Sequence, residues 1–192
     1  MRPPSRWAAA RIVAVLSFGL PLCGRPALAA AQSQQDQGTR FGPGELLGSG
    51  HSYLDLDAGV HDLIGNGHRN ETFAANGEYH VGAKFYGIGP ALGLIADGRG
   101  GGMGYAAIYS DVAAGPVIVT PLAGFGLWWH RSHGDEELGG PFEFRLSLAV
   151  AYQFAKQMRW GMRFGHISNA NINHVNPGEN DLMAICSWPL DF

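Results

Sequence analysis

The chain has 192 residues, a formal net charge of -3 and 46% hydrophobic residues. This length fits one domain, and the slightly acidic balance argues against a nucleic-acid partner. Glycine reaches 29 residues, and much of it alternates with aromatic and aliphatic residues. That pattern favours strands and tight turns over helices.

Residues 1–29 have the pattern of a secretory signal peptide. A basic start precedes an apolar segment that is too short to span a bilayer, and Ala27-Leu28-Ala29 matches a small-x-small cleavage pattern. We predict cleavage after this tripeptide, a polar leader over residues 30–50 and one domain over residues 51–192. Cleavage leaves Cys186 as the one cysteine, so no disulfide can form within the chain.

Apolar and polar residues then alternate with a period of two, which predicts strands with two different faces. Several of these segments have the length of about ten residues that a tilted strand needs to cross a bilayer. The eight predicted strands are Tyr53–Leu63, Phe73–Tyr86, Ala91–Ala96, Met103–Ala113, Val117–Trp129, Phe142–Phe154, Met158–Ser168 and Leu182–Phe192.

Long and short connections alternate between these strands, as they do in outer-membrane barrels with long extracellular loops and short periplasmic turns. The alternation of side chains would also suit a periplasmic β-sandwich or a lipocalin-like barrel. Strand length, connection length and the secretion signal favour the membrane form. We therefore predict an all-β fold, an eight-stranded antiparallel up-and-down transmembrane β-barrel in the bacterial outer membrane, with both termini in the periplasm.

Charged residues on the face opposite to the apolar one are expected to fill the narrow interior and to leave no channel. They are Glu78, Lys84, Glu143, Arg145, Arg159 and Arg163. Trp128 and Trp129 end a strand and are predicted to join an interfacial aromatic girdle. His130 and His133 have no further ligands nearby at metal spacing, so no metal site is expected there.

His166 and Ser168 are two residues apart near the end of the seventh strand, so both point to the same side. Because side chains alternate along a strand, His166 and Ser168 are expected on the same face as Met162 and Phe164, which is the lipid-facing one. With both termini in the periplasm, the pair lies near the outer rim. Polar groups on a lipid face suggest function, and a base beside a hydroxyl is the minimum for a serine esterase. Attack on an ester carbonyl creates a negatively charged oxygen, the oxyanion, which needs hydrogen-bond donors. These could come from Asn169, Asn176 or a backbone N–H near Ala170.

The sequence from His166 to Ala170, followed by Asn176-Pro177-Gly178 and a closing strand, resembles the C-terminal signature of the PagL-type lipid A 3-O-deacylases. This resemblance implies that His166 is the base and Ser168 the nucleophile, with Asn169 and Asn176 near the oxyanion site. It also implies a glutamate that orients the histidine, and here the chain departs from the family pattern. Asn180 occupies the ungapped position, and Glu179 reaches the role only if a one-residue bulge intervenes.

These observations predict an outer-membrane serine esterase that removes the 3-O-linked acyl chain of lipid A in the outer leaflet. No cofactor or metal is expected, and a homodimer is possible. The alternative is a non-catalytic barrel with a structural or ligand-binding role, which the asparagine at the orienting position keeps open.

Overall fold

The computed structural model describes residues 38–63, 71–130 and 138–190. Its strands are β1 (Thr39–Phe41), β2 (Gly44–Leu46), β3 (Ser52–His61), β4 (Thr72–His80), β5 (Ile88–Asp97), β6 (Gly102–Ser110), β7 (Val112–Ala114), β8 (Val117–Trp129), β9 (Phe142–Gln153), β10 (Arg159–Ser168) and β11 (Glu179–Leu190).

The eight long strands form a closed antiparallel barrel. Each pairs with its neighbours in the order β3-β4-β5-β6-β8-β9-β10-β11, and β11 pairs back onto β3 with Ala184 opposite Ala58. This closure confirms the predicted eight-stranded up-and-down barrel. Within the described ranges, no helix has the length and hydropathy to cross a membrane.

Side chains alternate between an apolar outer face and a polar interior. In β10, for example, Trp160 and Met162 are exposed whereas Arg159 and Arg163 are buried. The charged side chains predicted for the interior, Glu78, Lys84, Glu143, Arg145, Arg159 and Arg163, are all buried. Because an exposed apolar surface of this extent suits a lipid environment, the outer wall is the membrane-facing surface.

Arginine residues organise the interior through ion pairs. Arg163 contacts Asp55 at 2.6 Å, Asp57 at 3.0 Å and Glu78 at 2.8 Å. One layer nearer to the mouth at which β10 ends, Arg145 forms a bidentate ion pair with Asp181. Its two terminal nitrogens donate to the two carboxylate oxygens at 2.7 and 3.3 Å. Burying these charges is tolerable only because they are paired, so the network fixes the relative positions of strands that are far apart in sequence.

The second half of the predicted polar leader forms the hairpin β1–β2, and β2 pairs with β7 at the mouth where the barrel strands begin. The chain then inserts between barrel turns, because Gly50 N donates to Gly82 O at 2.9 Å and Lys84 N donates to Ser49 Oγ at 3.0 Å. This insertion explains why β4 ends at His80 and does not continue to Tyr86 as predicted.

The same mouth holds an ion-paired carboxylate outside the spanning segments. Asp111 contacts Lys84 at 2.9 Å and Arg159 at 3.2 Å. Burial alone would raise the pKa of Asp111, but the charges of Arg159 and Lys84 lower it to about 2. Asp111 therefore stays ionised and ties the turn after β6 to the start of β10.

The predicted tryptophan girdle is only half correct. Trp129 faces outward, but Trp128 points into the barrel, is 5% exposed and stacks on His61 with ring centroids 5.8 Å apart. The inward position of Trp128 follows from the strict alternation along β8, which places adjacent residues on opposite faces.

Candidate active site

His166 and Ser168 lie on the outer wall at the end of β10, at the mouth opposite to the chain's first barrel residue, Ser52. The inward residue between them, Ile167, is fully buried, whereas His166 and Ser168 are both half-buried. Across the β9–β10 ladder, Leu146 lies opposite His166 and Phe144 opposite Ser168. The structure therefore places an imidazole and a hydroxyl on the same outward face of β10 near one rim.

Asn180 lies directly opposite His166 in the β10–β11 ladder. His166 Nδ1 and Asn180 Oδ1 are 2.9 Å apart, so Nδ1–H donates to the amide oxygen. This bond leaves the lone pair of the imidazole on Nε2. The backbone oxygen of Asn180 accepts a further bond from Leu63 N at 3.1 Å, which fixes the start of β11.

Glu179 does not take the orienting role. It points into the barrel, is 4% exposed and bonds to His61 Nε2. Pairing continues without interruption from His166–Asn180 to Ile167–Glu179, so the bulge that would turn Glu179 outward is absent. The interpretation of Glu179 as a catalytic residue is therefore wrong, because strand parity separates it from His166 by the thickness of the barrel wall.

Asn169 joins the site to a second outer connection. It is fully buried, and its Nδ2 donates to Leu138 O at 2.6 Å and to Val175 O at 2.7 Å. Its backbone N–H donates to Asn176 Oδ1 at 3.0 Å. Both predicted oxyanion asparagines are thus engaged in holding the segment after Ser168, and the donors of Asn169 are already occupied.

A tight turn after Ser168 presents a free backbone donor. Ala170 and Asn171 have φ of 52° and 62°, and Ile172 N donates to Asn169 O at 3.0 Å, which is the pattern of a type I′ turn. Alanine rarely adopts this left-handed conformation, and such strain is often found at functional sites. Within the described chain, the N–H of Ala170 makes no hydrogen bond and is open to a ligand.

Gly178 leaves room for the imidazole. A Cβ added there would lie 3.0 Å from His166 Cε1 and 3.5 Å from Nε2, and its φ is +67°. Only glycine adopts this backbone conformation without strain while avoiding contact with the ring.

An apolar groove of about 640 Å³ leads away from His166 across the outer wall. It passes Phe164 and Leu146, crosses the small side chain of Ala123 and continues past Ile108 to Ile88. Its direction, across neighbouring strands from the site end toward the other mouth, suits an extended hydrocarbon chain lying against the barrel.

A possible cation site lies elsewhere, in the interior. Asp55, Glu78 and His80 could each offer a ligand atom within 4.8 Å of the others. Arg163 forms ion pairs with Asp55 and Glu78, so a cation would compete with a guanidinium already in place. The group fits the interior charge network better than a metal centre. Of His130 and His133, for which no metal site was expected, His133 lies outside the described residues.

The closed eight-stranded barrel with its apolar outer wall defines a β-barrel of the outer-membrane type. The family model described as PagL, lipid A 3-O-deacylase, matches residues 65–189, and the chain belongs to this family. Its members are lipid A deacylases and therefore ester hydrolases, and the outer membrane is their location.

Solved structures show the same fold at low sequence identity. The crystal structure of the outer membrane enzyme PagL is 18% identical, covers 72% of this chain and 99% of its own, and has a TM-score of 0.53. Neisserial surface protein A is 13% identical over 74% of this chain and 99% of its own, with a TM-score of 0.54. A de novo designed transmembrane β-barrel is 9% identical over 76% and 99%, with a TM-score of 0.50. A comparison with curated protein sequences finds no match.

Proposed function

We propose that this protein is an outer-membrane esterase that removes the 3-O-linked acyl chain from lipid A. Family membership supports the reaction, and the bond between His166 and Asn180 on the lipid-facing wall beside Ser168 supports the assignment of residues. Ser168 is the nucleophile, His166 the general base and Asn180 the residue that orients it.

The imidazole tautomer determines the first step. Because Asn180 Oδ1 accepts Nδ1–H, His166 Nε2 carries the lone pair that takes the proton from Ser168 Oγ. The Ser168 oxygen attacks the ester carbonyl, and the N–H of Ala170 is the donor that faces the developing oxyanion. Collapse of this intermediate releases the sugar hydroxyl with the proton from His166, and water then frees the fatty acid from Ser168 by the reverse sequence.

Asn169 and Asn176 position the segment that follows Ser168 and do not themselves contact the reacting atoms. Asn169 anchors the segment after Ser168 to Leu138 and Val175, while Asn176 holds the Asn169 backbone. These bonds keep the turn at Ala170 in its left-handed conformation, so that its N–H lies ready before substrate arrives.

The substrate reaches this site from the bilayer. Lipid A in the outer leaflet diffuses laterally, and its acyl chain enters the groove that begins at His166 and Phe164. The barrel therefore needs no deep internal pocket, and its interior is filled by the ion-pair network of Arg145 and Arg163.

Mass spectrometry of lipid A from cells expressing the protein tests this function. We expect the loss of one 3-linked hydroxyacyl unit with wild type, no loss with Ser168→Ala or His166→Ala, and normal loss with the control His51→Ala, which lies at the opposite mouth just before β3. Full trimming by Ser168→Ala would contradict the mechanism.

The neutral amide of Asn180 is the observation that favours a second candidate, a non-catalytic barrel with a structural or ligand-binding role. An amide cannot offset the charge of an imidazolium as a carboxylate does. The same experiment separates the candidates, because unchanged lipid A in wild-type cells supports the non-catalytic barrel, and altered phospholipids support an esterase for another lipid.

A further inference from the structure

We propose that a cavity beside the active site, formed at the ends of β8 and β9, binds the sugar ring that carries the scissile ester. This inference rests on the proposed function, since it assigns the alcohol half of the same substrate to a place on the protein. The volume of the cavity is about 530 Å³, and its walls include Trp128, Trp129, His130 and Gly140.

The cavity lies at the same rim as the nucleophile. β8 ends at Trp129 and β9 begins at Phe142, both at the rim that holds the candidate site. Ser168 pairs with Phe144, two residues further along β9. Trp128 N donates to Pro141 O at 2.7 Å, so the ladder between β8 and β9 continues into the cavity wall. A group bound there is level with the headgroups of the leaflet.

One side chain of the cavity lining carries a buried donor. Trp128 is 5% exposed, and its Nε1–H has no hydrogen-bond partner among residues 38–63, 71–130 and 138–190. Buried indole N–H groups normally find an acceptor, and in this proposal a hydroxyl of the bound sugar supplies it.

The chemistry of the described walls suits a sugar. The lining residues include two indoles and an imidazole. Flat aromatic rings offer apolar faces to the C–H groups of a pyranose, while the indole N–H and backbone groups serve its hydroxyls.

Asn169 connects this cavity to the catalytic residues. Its amide holds the carbonyls of Leu138 and Val175, and both of those residues line the cavity. Ser168 is the preceding residue. An ester has two halves on either side of its carbonyl carbon, and the acyl half is assigned to the groove that starts at His166. The alcohol half then extends toward the Asn169 side, where the cavity is.

A second apolar groove continues from the cavity along the lipid face. Its volume is about 620 Å³, it shares Trp129 with the cavity, and Gly104 and Phe125 contribute to its walls. A mainly aromatic recess joined to an apolar groove suits a ligand with a sugar above and a further acyl chain below, which is the shape of an acylated aminosugar.

Two variants test the cavity by separating sugar binding from ester cleavage. Trp129→Leu and His130→Ala are expected to lower kcat/KM for lipid A relative to a p-nitrophenyl ester by about tenfold, the loss that follows from removing one aromatic contact. In a Ser168→Ala background, the same changes should weaken lipid A binding, measured as a Kd in detergent micelles, by a similar factor. Trp188→Leu is the matched control, because Trp188 is lipid-facing on β11 near the other mouth.

An unchanged Kd and an unchanged ratio of kcat/KM in both variants would overturn the cavity while leaving the deacylase function standing. If the wild-type protein leaves lipid A intact but the Kd still weakens with Trp129→Leu and not with Trp188→Leu, the cavity stands and the deacylase function fails. Thermal unfolding in the same micelles checks that the variants remain folded.

Discussion

Asn180 stands where the resemblance to the family implies a glutamate. Its amide oxygen accepts the Nδ1–H of His166 at 2.9 Å, and in the proposed mechanism this bond selects the tautomer that takes the proton from Ser168. A carboxylate in the same place would also stabilise the charged imidazolium that forms during attack. Asn180 thus supplies orientation without charge.

Substitution of Asn180 tests these two contributions separately. We expect Asn180→Asp to raise kcat about tenfold, because charge compensation is added to an existing geometry. Asn180→Leu should lower kcat by roughly 100-fold, the lower range for loss of general-base catalysis. Steady-state hydrolysis of a short ester measures both, and equal rates in wild type and Asn180→Leu would exclude the orienting role.

Glu179 provides the contrasting case on the other side of the wall. Glu179→Ala leaves His61 Nε2 buried without its partner, and we expect a loss of about 1–3 kcal/mol in the free energy of unfolding. The ratio of activity to folded protein should change little, because Glu179 does not contact His166. A collapse of kcat in folded Glu179→Ala protein would contradict this division of roles.

The sequence left two candidates for the residue that faces His166, because a one-residue bulge would have exchanged Asn180 and Glu179. The uninterrupted pairing of His166 with Asn180 decides between them. The engagement of Asn169 could not be predicted, because its partners Leu138 and Val175 come from two different connections. Local sequence carries no signal for a contact between a side chain and distant carbonyls.

The element that carries the site is the connection from Ser168 to Gly178, which returns the chain beneath the imidazole. Gly178→Ala would place a methyl group 3.0 Å from His166 Cε1, and we expect roughly tenfold lower kcat because the ring must shift by a few tenths of an ångström. Gly115→Ala is the matched control, with φ of +59° and no neighbouring atom within 4 Å.

Both glycine variants bear the cost of a left-handed alanine, so a similar loss of thermal stability is expected in each. Only Gly178→Ala should lose activity per folded molecule in ester hydrolysis. Equal activity in the two variants would show that the space beside His166 has no catalytic consequence.

The groove across β9, β8 and β6 should determine the length of the acyl chain. Ala123→Trp fills it between Leu146 and Ile108, and we expect kcat/KM for a long-chain ester to fall about tenfold relative to a short-chain ester, because several methylene groups lose their contact surface. Ala75→Trp, at an exposed position on β4, is the control. An unchanged chain-length profile would place the acyl chain elsewhere.

Strand limits could be predicted where alternation is uninterrupted. Val117–Trp129 matches β8 to the residue, and the predicted start of the adjacent strand at Phe142 matches β9. β5 begins at Ile88, three residues before the predicted Ala91, because Pro90 pairs within the ladder opposite Ile108 where a turn was expected. Because proline is tolerated at the first residues of a strand, its presence does not show that the strand has yet to begin.

At the scale of the whole molecule, the interior charge network keeps the barrel in one register. Arg163→Met removes the cation shared by Asp55, Asp57 and Glu78, and we expect a loss of about 3–5 kcal/mol in folding free energy because buried carboxylates are left uncompensated. Arg163→Lys, which keeps the charge, should lose less. The stability of both variants is measured by thermal unfolding in micelles and by the shift in electrophoretic mobility that heating causes in a folded barrel.

Lower pH should partly restore Arg163→Met, since protonation removes the uncompensated negative charges, whereas wild type has no such gain. A variant that folds as well as wild type at neutral pH, or that becomes less stable on mild acidification, would show that the network is not required for folding.

The barrel itself could be predicted as a whole because alternation, strand length and connection length all indicate the same architecture. The hairpin β1–β2 could not, because residues 38–50 lack alternation and their order comes from contacts with Gly82, Lys84 and Asp111. Such contacts exist only once the barrel has closed, so they leave no periodic trace in the sequence.

The assignment of Ser168 as the nucleophile is tested by the mass of the protein after reaction with an acylating or fluorophosphonate esterase probe. Peptide mapping then locates the modified residue. We expect one adduct, on Ser168, which is absent in Ser168→Ala and much slower to form in His166→Ala. A probe that leaves Ser168 unmodified, or that labels the His166→Ala protein as fast as wild type, would contradict it.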